Sequence, residues 1–278
     1  MKLYKILIIR FLLFLGQRTF IGRGQLRKLI IKFIKIIIFF NKNKTFNSDI
    51  KDFTVSILGT PFIFFIDEKI GYKFYFLRNE RKEVFFINNN TKENTIFFDI
   101  GANMGMYTQI VASNFDKIKN SFIVAIEPDP LNCFRIKENL KLLVNRIPNI
   151  FDLVKIEECA AGESNKKIFL DRSDGPAQGK IVNFFKNGSI EVQMRTLNEI
   201  IERNKITHIT NLKIDIEGYE DKCLLDFFNN TSKKMYPENI IIEDTLSAIW
   251  SSNIVDHLKF IGYKLFYRTR ANLILRLK

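Results

Sequence analysis

Along residues 95–278, short apolar runs alternate with longer segments whose apolar positions recur at helical spacing. A short run rich in branched and aromatic side chains predicts a strand buried on both faces, and helical spacing predicts an amphipathic helix. Strands that alternate with helices predict an α/β sandwich. The predicted strands are 96–98, 121–127, 153–157, 166–170, 190–195, a strand beginning at 212, 240–244, and a closing antiparallel pair at 263–267 and 273–277; the predicted helices are 131–143, 197–204, 222–228 and 254–261.

The chain before residue 95 follows another pattern. Residues 62–66 and 72–76 are predicted to form a hairpin, and residues 81–90 a short helix. Residues 1–44 alternate apolar clusters with single basic residues, which predicts a basic amphipathic helical extension. Three of its basic side chains fall on one helical face: Lys28, Lys32 and Lys35.

Positive charge is concentrated in that extension. Of the net charge of +13, residues 1–48 contribute +11, because they hold eleven Lys or Arg and no acid, so the rest of the chain carries only +2. This asymmetry argues against nucleic acid as the main partner of the folded domain. No uncharged run approaches the roughly 18–20 residues that span a bilayer, and Arg10 interrupts the apolar core that a signal peptide needs. Two interpretations of residues 1–44 stay open, namely a segment that lies on anionic lipid and a helical cap packed on the domain.

A glycine turn follows the apolar run at 96–98. Asp99 ends the run, Gly101 and Gly105 bracket the turn, and Asn103 is expected to cap the helix that comes next. A strand, an acidic residue, a glycine turn and a helix in this order predict the nucleotide-binding corner of a Rossmann-like sheet.

The acidic residue at this turn indicates which kind of nucleotide binds. A dinucleotide site has the pattern Gly-x-Gly-x-x-Gly, with bare backbone N–H groups that face a pyrophosphate. Here the pattern is Asp99-x-Gly-x-x-x-Gly105, which places a carboxylate where the phosphates would lie. A carboxylate repels a pyrophosphate but suits a ligand with an ammonium and a sulfonium group. S-adenosylmethionine is such a ligand, and a nucleotide-using oxidoreductase is disfavoured.

Two further strand ends fit the same ligand. Glu127 ends the strand after the glycine turn, and a carboxylate there can accept hydrogen bonds from both hydroxyls of a ribose. Ala160 and Ala161 follow a third strand, and small residues there would let an adenine lie flat against the backbone. The three cysteines are scattered without metal-ligand spacing, which argues for a reducing compartment and against a structural zinc.

Taken together, these motifs resemble the FkbM family of S-adenosylmethionine-dependent methyltransferases, in the family's order over about residues 60–270. One departure is Asn198, which stands where the family usually has the acid of Thr-Leu-Asp, although Asn would cap a helix equally well. The matching residues are 98–108 (Phe-Asp-Ile-Gly-Ala-Asn-Met-Gly-Met-Tyr-Thr), 125–130 (Ala-Ile-Glu-Pro-Asp-Pro) with Asn132 and Asn139, 160–162 (Ala-Ala-Gly), 195–197 (Arg-Thr-Leu), 212–220 (Leu-Lys-Ile-Asp-Ile-Glu-Gly-Tyr-Glu), Ile242-Glu243 and Gly262-Tyr263.

The resemblance implies a Rossmann-like, seven-stranded class I methyltransferase sheet with helices on both faces, preceded by the basic extension, which lies outside the shared region. We therefore expect a helical extension at 1–44, a hairpin and helix that lead into the core at 45–94, and an S-adenosylmethionine-binding domain at 95–278. The residues expected to contact the cofactor are Asp99, Gly101, Asn103, Gly105, Tyr107, Thr108, Glu127, Asp129, Ala160, Ala161 and Asp215.

Catalysis is expected to depend on carboxylates. Methyl transfer from a sulfonium is an in-line displacement, and a neutral hydroxyl is a poor nucleophile until its proton is taken. Asp215 and Glu217 are two residues apart at a predicted strand end and so can share a face. Asp215 is the first candidate, near the methionine end of the cofactor or as the base, with Glu217 and Glu243 as substrate contacts or alternative bases and Glu220 expected nearby. Clustered acids can bind a divalent cation, but this spacing is not diagnostic and we predict no metal.

The predicted function is an O-methyltransferase that acts on a hydroxyl of a sugar, a glycan or a secondary metabolite. The alternative is a non-catalytic cofactor-binding or membrane-associated scaffold in a polysaccharide pathway, which would have no need of Asp99, Glu127 and Asp215 together. We expect a small-molecule or glycan acceptor rather than a nucleic acid, and a cytoplasmic location, either free or peripheral on the inner membrane face through residues 1–44. Trp250 either stacks on a sugar ring or packs in the core.

Overall fold

The computed structural model describes residues 7, 8, 11, 53–64, 80–173, 179–182 and 184–278. The chain divides into two compact units, residues 1–79 and 80–278. The predicted extension at 1–44 therefore lies outside the described residues, apart from Leu7, Ile8 and Phe11. Among the residues that are described, no helix combines the length and the apolar character that crossing a bilayer requires. The domain boundaries at 44/45 and 94/95 stay predictions.

The first unit contains an antiparallel hairpin of two strands, β1 (Phe53–Ile57) and β2 (Thr60–Phe64). Its turn residues, Leu58 and Gly59, both have positive φ angles of 51° and 85°, which suits the twist of a two-residue hairpin turn. Strand β2 overlaps the predicted strand at 62–66 and pairs with the segment before it, so the pairing predicted with 72–76 stays a prediction. The other predicted strand, 72–76, lies outside the described residues.

The second unit alternates strands and helices. Two short 3-10 turns, Lys233–Met235 and Ser247–Ile249, interrupt the loops. In chain order the elements are α1 (Arg81–Asn89), β3 (Ile96–Ile100), α2 (Met106–Ala112), β4 (Phe122–Ile126), α3 (Pro130–Lys141), α4 (Ile150–Leu153), β5 (Val154–Glu157), β6 (Ala160–Ala161), β7 (Lys166–Asp171), β8 (Lys180–Val182), β9 (Ile190–Arg195), α5 (Leu197–Arg203), β10 (Asn211–Ile214), α6 (Glu220–Asn230), β11 (Asn239–Glu243), α7 (Ile254–Phe260), β12 (Tyr263–Arg268) and β13 (Asn272–Leu277).

Seven strands form the central sheet, in the order β12-β13-β11-β10-β3-β4-β5. The five strands from β11 to β5 run parallel, and β13 is antiparallel to both of its neighbours. Helices α1, α2 and α3 contact one another in chain order, whereas α5, α6 and α7 form a second group. The predicted seven-stranded α/β sheet with helices on both faces is confirmed, and so is the closing antiparallel pair.

A smaller sheet has the strand order β6-β9-β7-β8 and comes from the chain between β5 and α5. Strands β7 and β9 match the predicted segments closely, whereas β6 and β8, with two and three residues, are too short to produce a hydrophobic pattern.

The strands of the central sheet are buried, which fixes where the site lies. Phe98, Ile100, Leu212, Ile214 and Ile240 have no exposed surface and belong to one apolar cluster. Because β3, β4, β10 and β11 are parallel, their carboxyl ends meet at one edge of the sheet, and the ligands of such sheets bind beyond that edge.

Candidate active site

The glycine turn after β3 requires glycine at two positions. Gly101 has a φ of 72°, and a Cβ there would lie 1.9 Å from the backbone oxygen of Asp215. Gly105 has a φ of 83°, and a Cβ there would lie 2.9 Å from the side chain of Ile136. The turn therefore packs against the end of β10 on one side and against α3 on the other. At Gly101 no other residue type fits without a shift of the backbone, and at Gly105 the Ile136 side chain would have to move.

Asp99 contacts the helix that follows this turn. The residue is fully buried, and its Oδ2 accepts hydrogen bonds from the backbone N–H of Thr108 at 3.0 Å and from its hydroxyl at 2.7 Å. Burial raises the pKa of this carboxyl group. Its Oδ1 has no hydrogen-bond partner among the described residues, and the contact of Asp99 with the cofactor stays a prediction.

Asn103 does not cap α2, which corrects the prediction. The helix begins after Gly105, whose left-handed conformation takes the N-cap position. Asn103 itself has a φ of 54°, and its side-chain Oδ1 accepts a hydrogen bond from the N–H of Met104. Its own N–H donates to Oε2 of Glu127 at 2.7 Å. Asn103 thus connects the glycine turn to the end of β4.

Glu127 is positioned by three donors at the carboxyl end of β4. Besides Asn103, the N–H of Asp129 donates to Oε1 at 3.0 Å and the side chain of Asn132 donates to the same oxygen at 3.2 Å. Burial raises its pKa to about 7, against the opposing effect of these hydrogen bonds. These donors use three of the four lone pairs of the carboxylate, so one lone pair, on Oε2, remains for a hydroxyl hydrogen.

Asp129 combines a structural and an electrostatic contact. Its Oδ1 caps α3 by accepting from the N–H of Leu131 at 2.8 Å, and its Oδ2 lies 2.7 Å from Nε of Arg172. Arg172 follows β7, so this ion pair joins the smaller sheet to the end of β4. Arg172 could not be predicted from the sequence, because a single cation in a polar loop carries no pattern.

Ala160 and Ala161 form β6 and are both buried. Ala160 packs with Ile168 and Met194 in a small apolar cluster of the second sheet. The next residue, Gly162, is crowded as well, since a Cβ there would lie 2.4 Å from the sulfur of Met194. The structure therefore places these small side chains in a packed layer beside the end of β5, and their contact with adenine stays a prediction.

The turn after β10 brings three carboxylates together. Oxygens of Asp215, Glu220 and Glu243 all lie within 4.8 Å of one another, which confirms the expected proximity of Glu220 and Glu243. Burial, followed by the charge of Asp215, raises the pKa of Glu243 to about 8. The hydroxyl of Thr245 donates a hydrogen bond to Glu243. This acidic trio is compact enough for a small cation, and the absence of a metal stays a prediction.

Glu217 does not join the trio. Strand β10 ends at Ile214, so the alternation of faces that would place Glu217 beside Asp215 stops before either residue. Glu217 instead has a φ of 56°, next to Gly218 with a φ of 95°. Its carboxyl group is partly buried, which raises its pKa. The prediction that Asp215 and Glu217 share a strand face is wrong for this reason.

Lys213 is a site residue that the sequence analysis missed. It lies in β10 directly opposite Asp99 of β3 and is only 5% exposed. Its Nζ lies 3.4 Å from Oδ2 of Asp215, donates to the carbonyl of Gly101 at 3.2 Å, and sits 5.4 Å from the ring centre of Tyr107. The signal for it was a lysine inside an otherwise apolar strand, because a buried ammonium requires partners.

Two more groups complete this buried cluster. Tyr107 is 4% exposed, and its hydroxyl interacts with Glu80, the residue before α1. Burial raises the pKa of Glu80 to about 7, although the Lys213 charge opposes that shift. Acids thus outnumber bases around the glycine turn, an arrangement that fits a ligand carrying an ammonium and a sulfonium group.

Trp250 lies beside the acidic trio, in the loop after β11. It is partly buried and packs against the main apolar cluster, which places it with the core. Its indole N–H donates to Oε2 of Glu220 at 2.9 Å. A cavity of about 450 Å³ opens next to it, lined among others by Asp244, Ser247, Ser251 and Asn253.

Comparison with solved structures gives distant likenesses. The methyltransferase FkbM from Methylobacillus flagellatus KT is 16% identical with a TM-score of 0.46, over 99% of this chain and 59% of that one, so this chain spans less than two thirds of that protein's length. An rRNA methylase from Streptococcus thermophilus is 9% identical (TM-score 0.42, 72% of this chain and 98% of that one). An O-methyltransferase from Bacillus cereus in complex with SAH is 13% identical (TM-score 0.39, 70% and 78%). With TM-scores below 0.5, none of these likenesses bears on the acceptor.

No relative was found among the curated proteins. The family model described as the methyltransferase FkbM domain matches residues 99–265, more than half of the chain. The match begins at Asp99 and includes the glycine turn, the end of β4 and the acidic trio. The chain therefore belongs to the FkbM methyltransferase family.

Proposed function

We propose that this chain is an S-adenosylmethionine-dependent methyltransferase that methylates a hydroxyl group of a sugar, a glycan or a secondary metabolite. The observation that carries the proposal is the acidic trio of Asp215, Glu220 and Glu243 beside the glycine turn. Methylation of oxygen needs a group that removes the hydroxyl proton, and a carboxylate whose pKa lies near the working pH is suited to that task.

The three carboxylates have different surroundings, which assigns them different roles. Oε1 of Glu220 accepts from the N–H groups of Ile216 and Gly218, and Oε2 accepts from Trp250, so this residue is a structural support. Asp215 is paired with Lys213, next to the glycine turn. Glu243, with a pKa of about 8, is left as the base. This assignment moves the base from Asp215, the first candidate in the sequence, to Glu243.

In the proposed reaction Glu243 takes the proton of the acceptor hydroxyl. S-adenosylmethionine, held at the glycine turn between Asp215 and Glu127, would supply the methyl group as an electrophile, so that the hydroxyl oxygen exchanges its proton for a methyl group. The proton remains on Glu243 until solvent removes it. Because none of the three trio carboxylates lines the cavity beside Trp250, that cavity is not the proposed acceptor site.

The placement of the cofactor follows from the order of the strands. Since β3 lies between β10 and β4, a ligand across the glycine turn has one end near Asp215 and the other near Glu127. We place the ribose hydroxyls at Glu127 and the methionine end at Asp215. Acidic residues at both ends disfavour a polyphosphate backbone, so a nucleic acid is not the proposed acceptor.

Peripheral membrane binding through residues 1–44 remains part of the proposal, supported by the charge of +11 over residues 1–48. Sedimentation of the full chain with phosphatidylserine vesicles at low and high salt tests it. Replacement of Lys28, Lys32 and Lys35 by Gln is expected to weaken binding at low salt, and equal sedimentation with neutral vesicles would exclude this role.

The catalytic proposal is tested by transfer of a tritiated methyl group to a panel of sugars and glycans. Glu243→Gln is expected to lower kcat by about 100-fold or more, with the Kd for S-adenosylhomocysteine changed by less than about threefold. Glu191→Gln, an exposed residue of β9, is the matched control. Full activity of Glu243→Gln would reject Glu243 as the base. A protein that binds cofactor but methylates nothing in the panel would favour the scaffold alternative.

A further inference from the structure

The lysine in the middle of β10 lies at the junction of the two turns that border the cofactor. Its Nζ contacts the carboxylate that follows β10 and the carbonyl that follows β3, namely Asp215 at 3.4 Å and Gly101 at 3.2 Å. The backbones of the two turns also touch at these residues. A Cβ on Gly101 would lie only 1.9 Å from the backbone oxygen of Asp215. One side chain therefore bridges both turns where they touch.

The charges around this lysine explain why an ammonium is buried there. The groups that face it are Asp215 from its own turn, Asp99 from β3, Glu80 from the segment before α1 and the ring of Tyr107 from α2, with Glu217 farther along the turn and Glu83 of α1 near Glu80. Together the carboxyl groups outweigh a single positive charge. The ammonium offsets part of their mutual repulsion in an environment that excludes water.

We propose that Lys213 is a positioning residue for the methionine end of the cofactor. It fixes the direction of the Asp215 carboxylate and the path of the glycine turn, so that the ammonium of the ligand meets a preformed anion. The ribose end lies across β3 at Glu127 and does not depend on this contact. The inference rests on the cofactor placement proposed above.

Two ligands separate this role from a general effect on folding. S-adenosylhomocysteine carries the whole amino acid end, whereas 5′-methylthioadenosine keeps the ribose and adenine but lacks it. A residue that positions the methionine end should affect only the first ligand. A residue needed for the fold as a whole should affect both ligands alike.

The experiment is titration calorimetry of the full chain with both ligands. Lys213→Met is expected to weaken binding of S-adenosylhomocysteine by about tenfold or more and binding of 5′-methylthioadenosine by less than about threefold. Lys213→Arg, which keeps the positive charge beside Asp215, is expected to keep S-adenosylhomocysteine binding within about threefold of the original. Lys155→Met, the same substitution at an exposed position of β5, controls for the loss of a lysine from this sheet.

Equal losses for the two ligands in Lys213→Met, or no loss for either, would overturn the proposal. Glu127→Ala tests the placement on which it rests, because loss of a ribose contact should weaken both ligands. If Glu127→Ala instead leaves both affinities unchanged, the placement is wrong. Neither result depends on an acceptor, so a failure here is distinguishable from a failure of the O-methylation proposal.

Discussion

The indole N–H of Trp250 and the carboxylate of Glu220 are joined by a hydrogen bond of 2.9 Å. The other oxygen of Glu220 holds the backbone of the turn after β10 through Ile216 and Gly218. One buried carboxylate thus ties the loop after β11 to the turn that carries Asp215. Movement of the loop is therefore expected to reach the acidic trio.

The loop has a second anchor, which yields the first prediction. Oδ2 of Asp221 accepts hydrogen bonds from the N–H and the hydroxyl of Ser251 and from the N–H of Ser252, at 2.7, 2.7 and 3.0 Å. Asp221→Ala removes this acceptor and should lower the free energy of unfolding by about 1–3 kcal/mol. Because the chain has a single tryptophan, fluorescence reports on this loop alone. The emission of Trp250 should shift to longer wavelength as its side chain becomes more exposed to water.

The matched control for that change is Asp226→Ala on the same helix. The carboxylate of Asp226 accepts from Asn230 within α6 and does not hold the loop. Its replacement should leave the tryptophan emission in place. An unshifted emission in Asp221→Ala as well would mean that Glu220 alone fixes the loop.

The second prediction concerns the glycine turn. In Gly101→Ala the new Cβ would meet the backbone oxygen of Asp215 at 1.9 Å, and a backbone atom cannot move aside as a flexible side chain can. We expect urea denaturation to show a loss of about 3 kcal/mol or more in unfolding free energy. Gly188→Ala is the control, because its φ is 89° but nothing lies within 4 Å of the new Cβ. It should cost only the conformational strain, about 1 kcal/mol. Equal losses in the two variants would show that the close approach does not matter.

The third prediction is a pH effect at Glu243. The folded-state pKa of about 8 lies above the reference value of 4.5, so the folded protein holds this proton more tightly than the unfolded chain. The stability contributed by this group is complete below about pH 4.5 and is lost as the pH rises toward 8. Glu243→Gln cannot lose a proton and so escapes that loss. Its unfolding free energy relative to the original should rise by about 1–2 kcal/mol between pH 5 and pH 8.5, after allowance for solvent screening at a partly exposed site.

Urea denaturation at both pH values measures this difference, and Glu191→Gln shows whether any Glu-to-Gln change has the same effect. A relative stability of Glu243→Gln that stays flat with pH would contradict the raised pKa. Together with the kinetic test, the result would show whether the enzyme gives up stability to keep a base at this position.

The elements that were predicted correctly from the sequence are those that depend on local patterns. The segment 190–195 was predicted to the residue, because its alternation is a local pattern, and the structure shows that Thr196 caps the helix that follows. The Asn103 cap was wrong because the left-handed glycine at 105 delays the start of α2. The shared face of Asp215 and Glu217 was wrong because β10 stops at Ile214. Both errors arise where the backbone leaves the regular geometry that pattern analysis assumes.

The contacts of the site were less predictable because they depend on strand order and register. The role of Lys213 can be recognised only through Asp99, which lies opposite it on a strand more than 100 residues earlier in the chain. Arg172 likewise depends on Asp129, which reaches it from the other sheet. Neither pairing can be read from neighbours in the sequence, since each requires the sheets to be assembled first.

The smaller sheet has a consequence for how this enzyme can be altered. It comes from one continuous stretch whose entry strand, β6, and exit strand, β9, lie side by side, with Ala161 paired to Arg195. The stretch therefore leaves and rejoins the main domain at neighbouring points, as in an inserted module, and segments with adjacent ends tolerate exchange. Lys166 of β7 is likewise paired with Met194 of β9, so we expect the stretch from β7 to β9 to be exchangeable between relatives while Ala160 and Ala161, the predicted adenine contacts, stay in place.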